Sequence, residues 1–321
     1  MHEPKSRAPR RRAILSCSLA AAALMPGAAF AHGRIPPAAP AASTASSAPL
    51  ASLGASPDSL FGRSGKLRFR LFSSSRLFAL PILERLFGNP EAGEVRPGVY
   101  WAAEEIMGRP FAFISLIPFA AKDGGAMGDY RVGFWPSERR RNRSTRYENP
   151  EGFIEVTPEN QDLYVSEHFR LGDFLTHDQK NVWPKYLVLR EALVDKLELV
   201  IDDLGAHGVR VERMVVMSGF RSPQYNAKGV GRGGRAPDSR HQFGDAADVF
   251  VDNDGNGRMD DLNRDKRVDS RDARVIMQAI ERVERAHPEL VGGAALYRAT
   301  RAHGPFAHVD VRGARARWGR S

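Results

Sequence analysis

The chain has 321 residues, of which 42% are hydrophobic, so it can bury one sizeable core and carry a smaller module with linkers. Its net charge of +9 is unevenly placed, since residues 1–100 hold 13 Lys/Arg against 5 Asp/Glu and the remaining residues hold 34 against 33. The part after residue 100 is therefore nearly neutral. It has no basic face with interleaved aromatic residues, which argues against a nucleic-acid partner.

The N-terminus has the order of parts that is typical of an export signal. Arg10-Arg-Arg12 is followed by a short Ala-rich apolar run from Ala13 to Ala28, and Ala29-Phe-Ala31 is a small-x-small cleavage site. The apolar run is too short for a spanning helix, so we expect no transmembrane segment in the mature protein. The pattern predicts a signal peptide over residues 1–31 and a periplasmic or cell-envelope location. General secretion and twin-arginine export both remain open.

The single cysteine, Cys17, lies inside this predicted leader. A mature protein that begins after the leader would have no disulfide bonds and no cysteine ligands for a metal. Any metal site must therefore be built from His, Asp and Glu side chains.

Three further segments precede the main domain. Residues 32–60 are rich in Ala, Pro and Ser and predict a disordered linker. Residues 61–92 alternate Arg with Leu and Phe, which indicates a basic amphipathic segment, either at a membrane surface or packed on the domain. Residues 93–140 carry β-type runs at 110–117 and 129–135 around a Gly-rich turn, and predict a small β module that holds glycan strands or braces the domain.

The main domain, residues 147–321, mixes helical and strand patterns. Apolar residues recur at helical spacing from Lys185 to Leu204, and Gly205 follows as a stop signal. A second amphipathic helix is predicted from Ser270 to His287. Short apolar runs predict strands at 214–217, 249–251 and 307–311. The predicted fold class is α+β, an antiparallel sheet with helices packed on it.

Two stretches of this domain carry a candidate metal site. Ser239-Arg-His-Gln-Phe-Gly-Asp-Ala-Ala-Asp248 supplies His241 and Asp248, and Phe306-Ala-His-Val-Asp-Val-Arg312 supplies His308. Two histidines and one aspartate, with room for a water, are a ligand set of catalytic zinc sites. We therefore predict that Zn²⁺ is bound by His241, Asp248 and His308.

The same stretches resemble the zinc D-alanyl-D-alanine peptidases of bacterial cell-wall metabolism. The pattern Ser-x-His-x-x-Gly-x-Ala-x-Asp is followed by His308-Val-Asp310, and Ser218-Gly-Phe-Arg-Ser222 is close to the Ser-Gly-Tyr-Arg-Ser element of the family. The resemblance covers the chain from Tyr147 onward. It implies an exported zinc metallopeptidase that cleaves peptidoglycan stem peptides with zinc-activated water, as a D,D-carboxypeptidase or a D,D-endopeptidase. We expect a monomer whose partners are peptidoglycan peptides.

The resemblance leaves the general base open. Many relatives place a Glu or His three residues before the last ligand, and here that position is Pro305. Asp310 shares a strand face with His308 and is the first candidate, with orientation of the ligand imidazole as its equal alternative. His303 is the second candidate. The proline at the base position also supports an alternative function, a non-catalytic peptidoglycan-binding protein that keeps the peptidase fold.

Two more residues receive roles from the resemblance. Arg221 corresponds to an arginine that steadies the developing oxyanion, and its structural alternative is a salt bridge. Ser239 is expected to hydrogen-bond the substrate, and its alternative is turn capping.

An acidic insert at residues 252–272 contains two overlapping calcium-loop patterns. In the first, position 12 is the weak Asn263, Gly257 stands at the sharp turn, and the ligands are Asp252, Asp254, Asn256 and Asp260. In the second, Lys266 replaces the glycine and the ligands are Asp261, Asn263, Asp265, Asp269 and Asp272. We predict one structural Ca²⁺ in one of the two registers, with a solvated acidic loop as the alternative. A calcium-dependent adhesion module is a third hypothesis for the function.

Overall fold

A central sheet of five strands carries the stretches that the motif analysis singled out. The computed structural model describes residues 60–73, 96–101, 108–139, 144–231 and 234–319. The predicted signal peptide and most of the segments predicted over 32–60 and 61–92 lie outside these residues.

The described part contains thirteen strands and three α-helices. The strands are β1 (Phe69–Phe72), β2 (Gly98–Trp101), β3 (Ala112–Ser115), β4 (Ile117–Pro118), β5 (Ala126–Met127), β6 (Tyr130–Arg131), β7 (Gly152–Val156), β8 (Lys185–Leu187), β9 (Met214–Ser218), β10 (Ala246–Val251), β11 (Gly293–Tyr297), β12 (Phe306–Asp310) and β13 (Ala316–Trp318). The helices are α1 (Glu191–Ala206), α2 (Pro223–Ala227) and α3 (Ser270–Ala286). Helices and sheets are mixed, in agreement with the predicted α+β class at this coarse level.

The strand order of the central sheet is β13-β11-β12-β10-β9. Its neighbours are antiparallel except for β11 and β13, which run parallel. Smaller sheets have the orders β1-β3-β2, β4-β7-β8 and β5-β6. Helix α3 packs on β11 and β12 and also contacts α1. No helix in the described part is long and apolar enough to span a bilayer.

Helix α3 begins where the sequence predicts, because its first turn is capped from both sides. The Asp269 carboxylate accepts a hydrogen bond from the backbone N–H of Arg271, and the Asp272 carboxylate accepts one from the N–H of Asp269. This reciprocal arrangement satisfies N–H groups that the helix itself leaves without partners. The apolar face, which includes Ile276 and Ile280, is fully buried against the sheet.

The predicted start of α1 at Lys185 was wrong, because the helix begins at Glu191. Residues Lys185–Leu187 form β8 and pair with β7, where Leu187 lies opposite Ile154. Leu187 and Leu189 fit the alternation of a strand as well as helical spacing, and pairing with β7 decides between the two. The run predicted as a strand over 129–135 is also shorter, since only Tyr130–Arg131 pairs there.

Residues before 140 share the hydrophobic cluster of the later domain. Phe69, Ile114 and Trp135 are buried in the same cluster as Phe153. Trp135 Nε1 also donates a 2.8 Å hydrogen bond to the carbonyl of Gln242, in the turn that holds the first metal-ligand candidate. This contact braces the turn from outside the central sheet.

A buried lysine joins α1 to β12. Lys196 Nζ donates to Glu284 Oε1 at 2.7 Å, to the carbonyl of Leu290 at 2.9 Å and to the carbonyl of Asp310 at 2.8 Å. Its side chain is fully buried, so all three donors of the ammonium group must find partners inside the protein. One of these partners, the carbonyl of Asp310, lies at the end of β12, so the lysine helps to place the strand that carries His308.

Candidate metal centre

The turn that presents His241 depends on one glycine. Arg240–Phe243 form a 3₁₀ turn, and Gly244 ends it with φ of +65°. A Cβ atom on Gly244 would lie 2.3 Å from the carbonyl oxygen of Val188, so a side chain cannot be accommodated there. The glycine therefore allows the turn to approach the backbone that precedes α1.

Sheet register brings the other two candidates together. Asp248 on β10 lies directly opposite His308 on β12, and on its other side it pairs with Ser218 of β9. All three predicted ligands are buried, with exposed fractions of 2% for His241, 4% for Asp248 and 6% for His308. The structure thus places the three residues that the sequence proposed in a single cluster that could hold a metal ion.

The donor atoms of this cluster form a small triangle. His308 Nδ1 lies 2.9 Å from Asp248 Oδ1, His241 Nε2 lies 3.3 Å from the same oxygen, and the two ring nitrogens are 3.2 Å apart. In a tetrahedral site with bonds of about 2.0 Å, neighbouring ligand atoms lie about 3.3 Å apart. The triangle therefore has the dimensions of one face of such a site.

Hydrogen bonds on the outer side of each ring decide which nitrogen carries the proton. His241 Nδ1 lies 2.7 Å from the carbonyl oxygen of Gly219, which can only accept, so Nδ1 carries the hydrogen and Nε2 presents a lone pair. His308 Nε2 lies 3.2 Å from Asp310 Oδ2, so a neutral His308 ring with its hydrogen on Nε2 turns the Nδ1 lone pair towards the triangle. With both rings neutral, two nitrogen lone pairs and a carboxylate oxygen face one another in the triangle, and a cation placed there would be held by all three.

The protonation tendencies of the cluster follow from burial and neighbouring charge. Burial lowers the pKa of His241, which favours the neutral imidazole that a metal requires. For His308, burial acts in the same direction, but hydrogen bonds to Asp248 and Asp310 outweigh it and raise its pKa. Burial opposes the charge of Asp248, yet the two imidazoles hold the pKa of that carboxyl well below its usual range.

Asp310 lies behind His308, on the ring nitrogen that points away from the triangle. It is fully buried, and its Oδ1 accepts from the N–H of Gly293 at 2.7 Å and from Arg312 Nε at 2.9 Å. Burial opposes its charge, but His308 and Arg312 hold its pKa well below the usual range. A carboxylate with so low a pKa is a weak base, so this position favours the orienting role over the general-base role.

Arg221 forms the salt bridge that was the alternative to its oxyanion role. Its guanidinium contacts Asp248 Oδ2, the carboxylate oxygen outside the triangle, and its Nε donates to Ser218 Oγ at 2.8 Å. Burial lowers the pKa of Arg221 most, and the charge of Asp248 opposes that effect. Arg221 thus holds the ligand carboxylate in position, and contact with an oxyanion stays a prediction.

Three aromatic side chains, Trp318, Tyr297 and Phe306, form an aromatic wall next to the triangle. The ring of His308 lies 5.1 Å from that of Trp318, whose Nε1 donates a 3.0 Å hydrogen bond to the hydroxyl of Tyr297. Tyr297 stacks on Phe306 at 4.5 Å, and His303 meets the edge of Phe306 at 5.0 Å. His303, the second base candidate, is therefore connected to the site through Phe306 and is not one of the ligands.

His177 is a further candidate that the sequence analysis did not identify. Its segment runs beside the Ser218–Ser222 element, since the N–H of Phe220 donates to the carbonyl of Phe174. Burial lowers the pKa of His177, and the charges of Arg221, Lys180 and Arg235 lower it further. A lone histidine in a polar loop has no motif, so only this proximity to Arg221 reveals it.

Ser239 directly precedes the His241 turn. Its carbonyl accepts a 3.1 Å hydrogen bond from the N–H of Gln242, but its side chain makes no capping bond to the turn. Turn capping by the side chain, the alternative to substrate binding, is therefore not what the described contacts show. Contact with a substrate stays a prediction.

The acidic insert follows β10 without a break. Its first loop brings one oxygen each from Asp252, Asp254 and Asp260 within 4.8 Å of one another, which makes a second group that could hold a cation. In the second loop, the carboxylates of Asp265 and Asp269 are paired with Arg271. The two loops thus differ in how their carboxylates are paired.

Comparisons with family models, with curated proteins and with solved structures find no match to this chain. The buried group of two histidines and one aspartate, built from a tight turn and two paired strands, is a candidate metal centre on its geometry alone.

Proposed function

We propose that the chain is an exported zinc metallopeptidase that cleaves peptidoglycan stem peptides, as a D,D-carboxypeptidase or a D,D-endopeptidase. One observation carries the proposal of a metal: three buried donor atoms from His241, Asp248 and His308 converge at the spacing of a tetrahedral face. The substrate class rests on the resemblance of the Ser239–Asp248 and His308–Asp310 stretches and on the export signal.

Zinc fits this donor set better than the hard cations Ca²⁺ and Mg²⁺. Two imidazole nitrogens and one carboxylate oxygen, in a chain whose single cysteine lies in the predicted leader, are ligands that suit zinc, whereas Ca²⁺ and Mg²⁺ prefer oxygen ligands only. Three protein ligands leave a fourth position for water or substrate, as in catalytic rather than structural zinc sites.

The side chains around the triangle have separate tasks in this proposal. A bound zinc ion would supply a Lewis acid that lowers the pKa of a water and polarises the scissile carbonyl. Asp310 orients the His308 ring so that Nδ1 faces the triangle, and the Gly219 carbonyl accepts from His241 Nδ1, which leaves His241 Nε2 to face it. Arg221 balances the charge of Asp248, so that the ligand carboxylate stays ionised in a buried position.

Besides Asp310, whose position favours the orienting role, we propose His303 and His177 as candidates for the general base. His303 lies beside the aromatic wall next to His308, and His177 lies beside the Ser218–Ser222 element near Arg221. The lowered pKa of His177 keeps its imidazole neutral near pH 7, as proton acceptance requires. If the base is His177, His177→Ala abolishes turnover and retains zinc, while His303→Ala changes turnover little. The reverse result would assign His303.

The deciding experiment incubates the purified protein with muropeptides ending in D-Ala-D-Ala and with cross-linked dimers, with and without a zinc chelator. Mass spectrometry should show loss of one alanine for a carboxypeptidase, or monomers for an endopeptidase, and the chelator should abolish either product. His308→Ala should lose both bound zinc, measured by metal analysis, and turnover.

The absence of any product despite one bound zinc per chain would contradict the catalytic proposal. That result would favour the non-catalytic peptidoglycan-binding protein, for which Pro305 at the usual base position is the supporting observation. A pull-down on purified peptidoglycan sacculi would then test that alternative.

A further inference from the structure

The two acidic loops share one backbone conformation. In the first, the Asp252 carboxylate accepts a 3.1 Å hydrogen bond from the N–H of Gly257, and in the second, Asp261 accepts a 2.7 Å bond from the N–H of Lys266. Gly257 has φ of +79° and Lys266 has φ of +65°, so the lysine takes the left-handed turn that glycine would occupy. Because these backbone features match, we look to the side chains for a difference in cation binding between the two loops.

In the first loop, one buried carboxylate oxygen, Asp252 Oδ1, has no hydrogen-bond partner in the described part of the chain. The Asp252 side chain is fully buried, and its Oδ2 takes the Gly257 N–H and lies 3.5 Å from the exposed guanidinium of Arg213. Within the described residues, Asp252 Oδ1 has no hydrogen-bond partner. Burying an ionised oxygen without a partner is strongly unfavourable, and such groups are paired or coordinate metals. Oxygens of Asp254 and Asp260 approach Asp252 within 4.8 Å.

In the second loop an arginine supplies the positive charge that a bound cation would supply in the first loop. Arg271 Nη1 lies 2.6 Å from Asp265 Oδ2, and Arg271 Nη2 lies 2.8 Å from Asp269 Oδ2. At the twelfth position, both carboxylate oxygens of Asp272 accept hydrogen bonds from backbone N–H groups, those of Leu262 and Asp269. Two carboxylates of this loop are therefore paired with an arginine, and the oxygens of Asp272 are already bound by backbone donors.

We propose that the first loop binds one Ca²⁺ through Asp252, Asp254, Asn256 and Asp260, and that Arg271 stands in for an ion in the second loop. Oxygen ligands at positions one, three, five and nine of a loop with glycine at position six match the calcium-loop arrangement. Mg²⁺ fits less well, because it demands a tight octahedron and keeps most of its waters.

The ion would anchor the end of the strand that carries the zinc ligand Asp248. Asp252 directly follows β10, and Asn253 ties the loop to the segment before β9, since its Oδ1 accepts from the N–H of Glu212 at 2.7 Å. Met259, inside the loop, is buried in the hydrophobic cluster of the domain. Ca²⁺ binding should therefore stabilise the fold, and this inference does not depend on peptidase activity.

The test is a calorimetric titration of Ca²⁺ into the full chain, after dialysis against EGTA and return of one equivalent of Zn²⁺. Wild type should bind one Ca²⁺, and both Asp252→Asn and Asp254→Asn should weaken binding by about tenfold or more, because each removes a ligand charge. Asp254 is exposed, so its variant folds even if the buried substitution does not. The matched control is Asp261→Asn, at position one of the second loop, which should change the affinity less than about twofold.

Three results would overturn the proposal: no saturable Ca²⁺ binding, two ions per chain in wild type, or an Asp261→Asn loss equal to that of Asp252→Asn. Equal binding of Mg²⁺ would overturn the assignment of the metal. Arg271→Gln frees Asp265 and Asp269 and should raise the stoichiometry to two. A stoichiometry that stays at one in this variant would refute the role given to Arg271.

Discussion

Replacement of Asp310 by Asn separates the two roles that this residue can have. The two oxygens of this carboxylate accept hydrogen bonds from the His308 Nε2–H, the Gly293 N–H and the Arg312 guanidinium. An Asn side chain has one oxygen for these donors, and its NH₂ group must face at least one of them. The substitution thus removes a charge-assisted hydrogen bond and the negative charge that makes the His308 imidazole a stronger ligand.

The expected magnitude follows from the loss of this outer partner. Removing such a carboxylate weakens metal binding by about 10–100-fold, which corresponds to about 1.4–2.7 kcal/mol. Zinc affinity is measured by competition with a chromophoric chelator, and turnover is measured at saturating zinc. We expect weaker zinc binding in Asp310→Asn and substantial recovery of turnover once zinc is in excess.

The control for charge and folding is Asp245→Asn. Asp245 is also fully buried and is bound to an arginine, with Arg240 Nε 3.1 Å from its Oδ1. Its side chain has no described contact with His241 or His308, so zinc affinity should stay unchanged. Unchanged zinc affinity in Asp310→Asn together with lost turnover would refute the orienting role and make Asp310 the general base.

Gly244→Ala should destabilise the fold by about 2–3 kcal/mol in chemical denaturation, because φ of +65° and a carbonyl 2.3 Å from the new Cβ both oppose it. Gly205→Ala on α1, where nothing lies within 4 Å, should leave stability equal or higher. Lys196→Met should cost about 1–3 kcal/mol, since the carbonyls of Leu290 and Asp310 lose a buried donor while Glu284 keeps Arg317 as its partner, and unchanged stability would contradict that account. His168 is paired with the buried Glu198 at 2.7 Å, and this hydrogen bond raises the pKa of His168. The charged pair therefore stabilises the fold fully below pH ~6.5, and the gain is lost as the pH rises through the raised pKa. The thermal midpoint of His168→Gln should lack this decline, and identical pH profiles for variant and wild type would disprove it.

The three metal-ligand candidates could be predicted from the sequence because their positions are local. Asp248 and His308 lie within apolar runs that form strands, and Gly244 marks the turn after His241. Strand alternation and left-handed turns depend on neighbouring residues alone, so these elements need no knowledge of distant contacts. The capped helix α3 was predictable for the same reason.

Other features depend on contacts between segments that are far apart in the chain. Helix α1 starts six residues late because Lys185–Leu187 finds a partner in β7. His177 has no motif and becomes a candidate only because its segment runs beside residues Ser218–Ser222.

The amino-acid sequence by itself determined the identity of the metal-ligand candidates, the α+β class and the two acidic loops, because these are set by residue type and short spacing. Only the tertiary structure decided that Asp310 faces the outer nitrogen of His308. It also decided that Asp252 Oδ1 has no partner among the described residues while Arg271 pairs with two carboxylates of the second loop. The direction of a side chain and the partner of a buried charge are set by packing. The same sequence pattern is compatible with either direction of the Asp310 side chain and with either partner for the acidic groups.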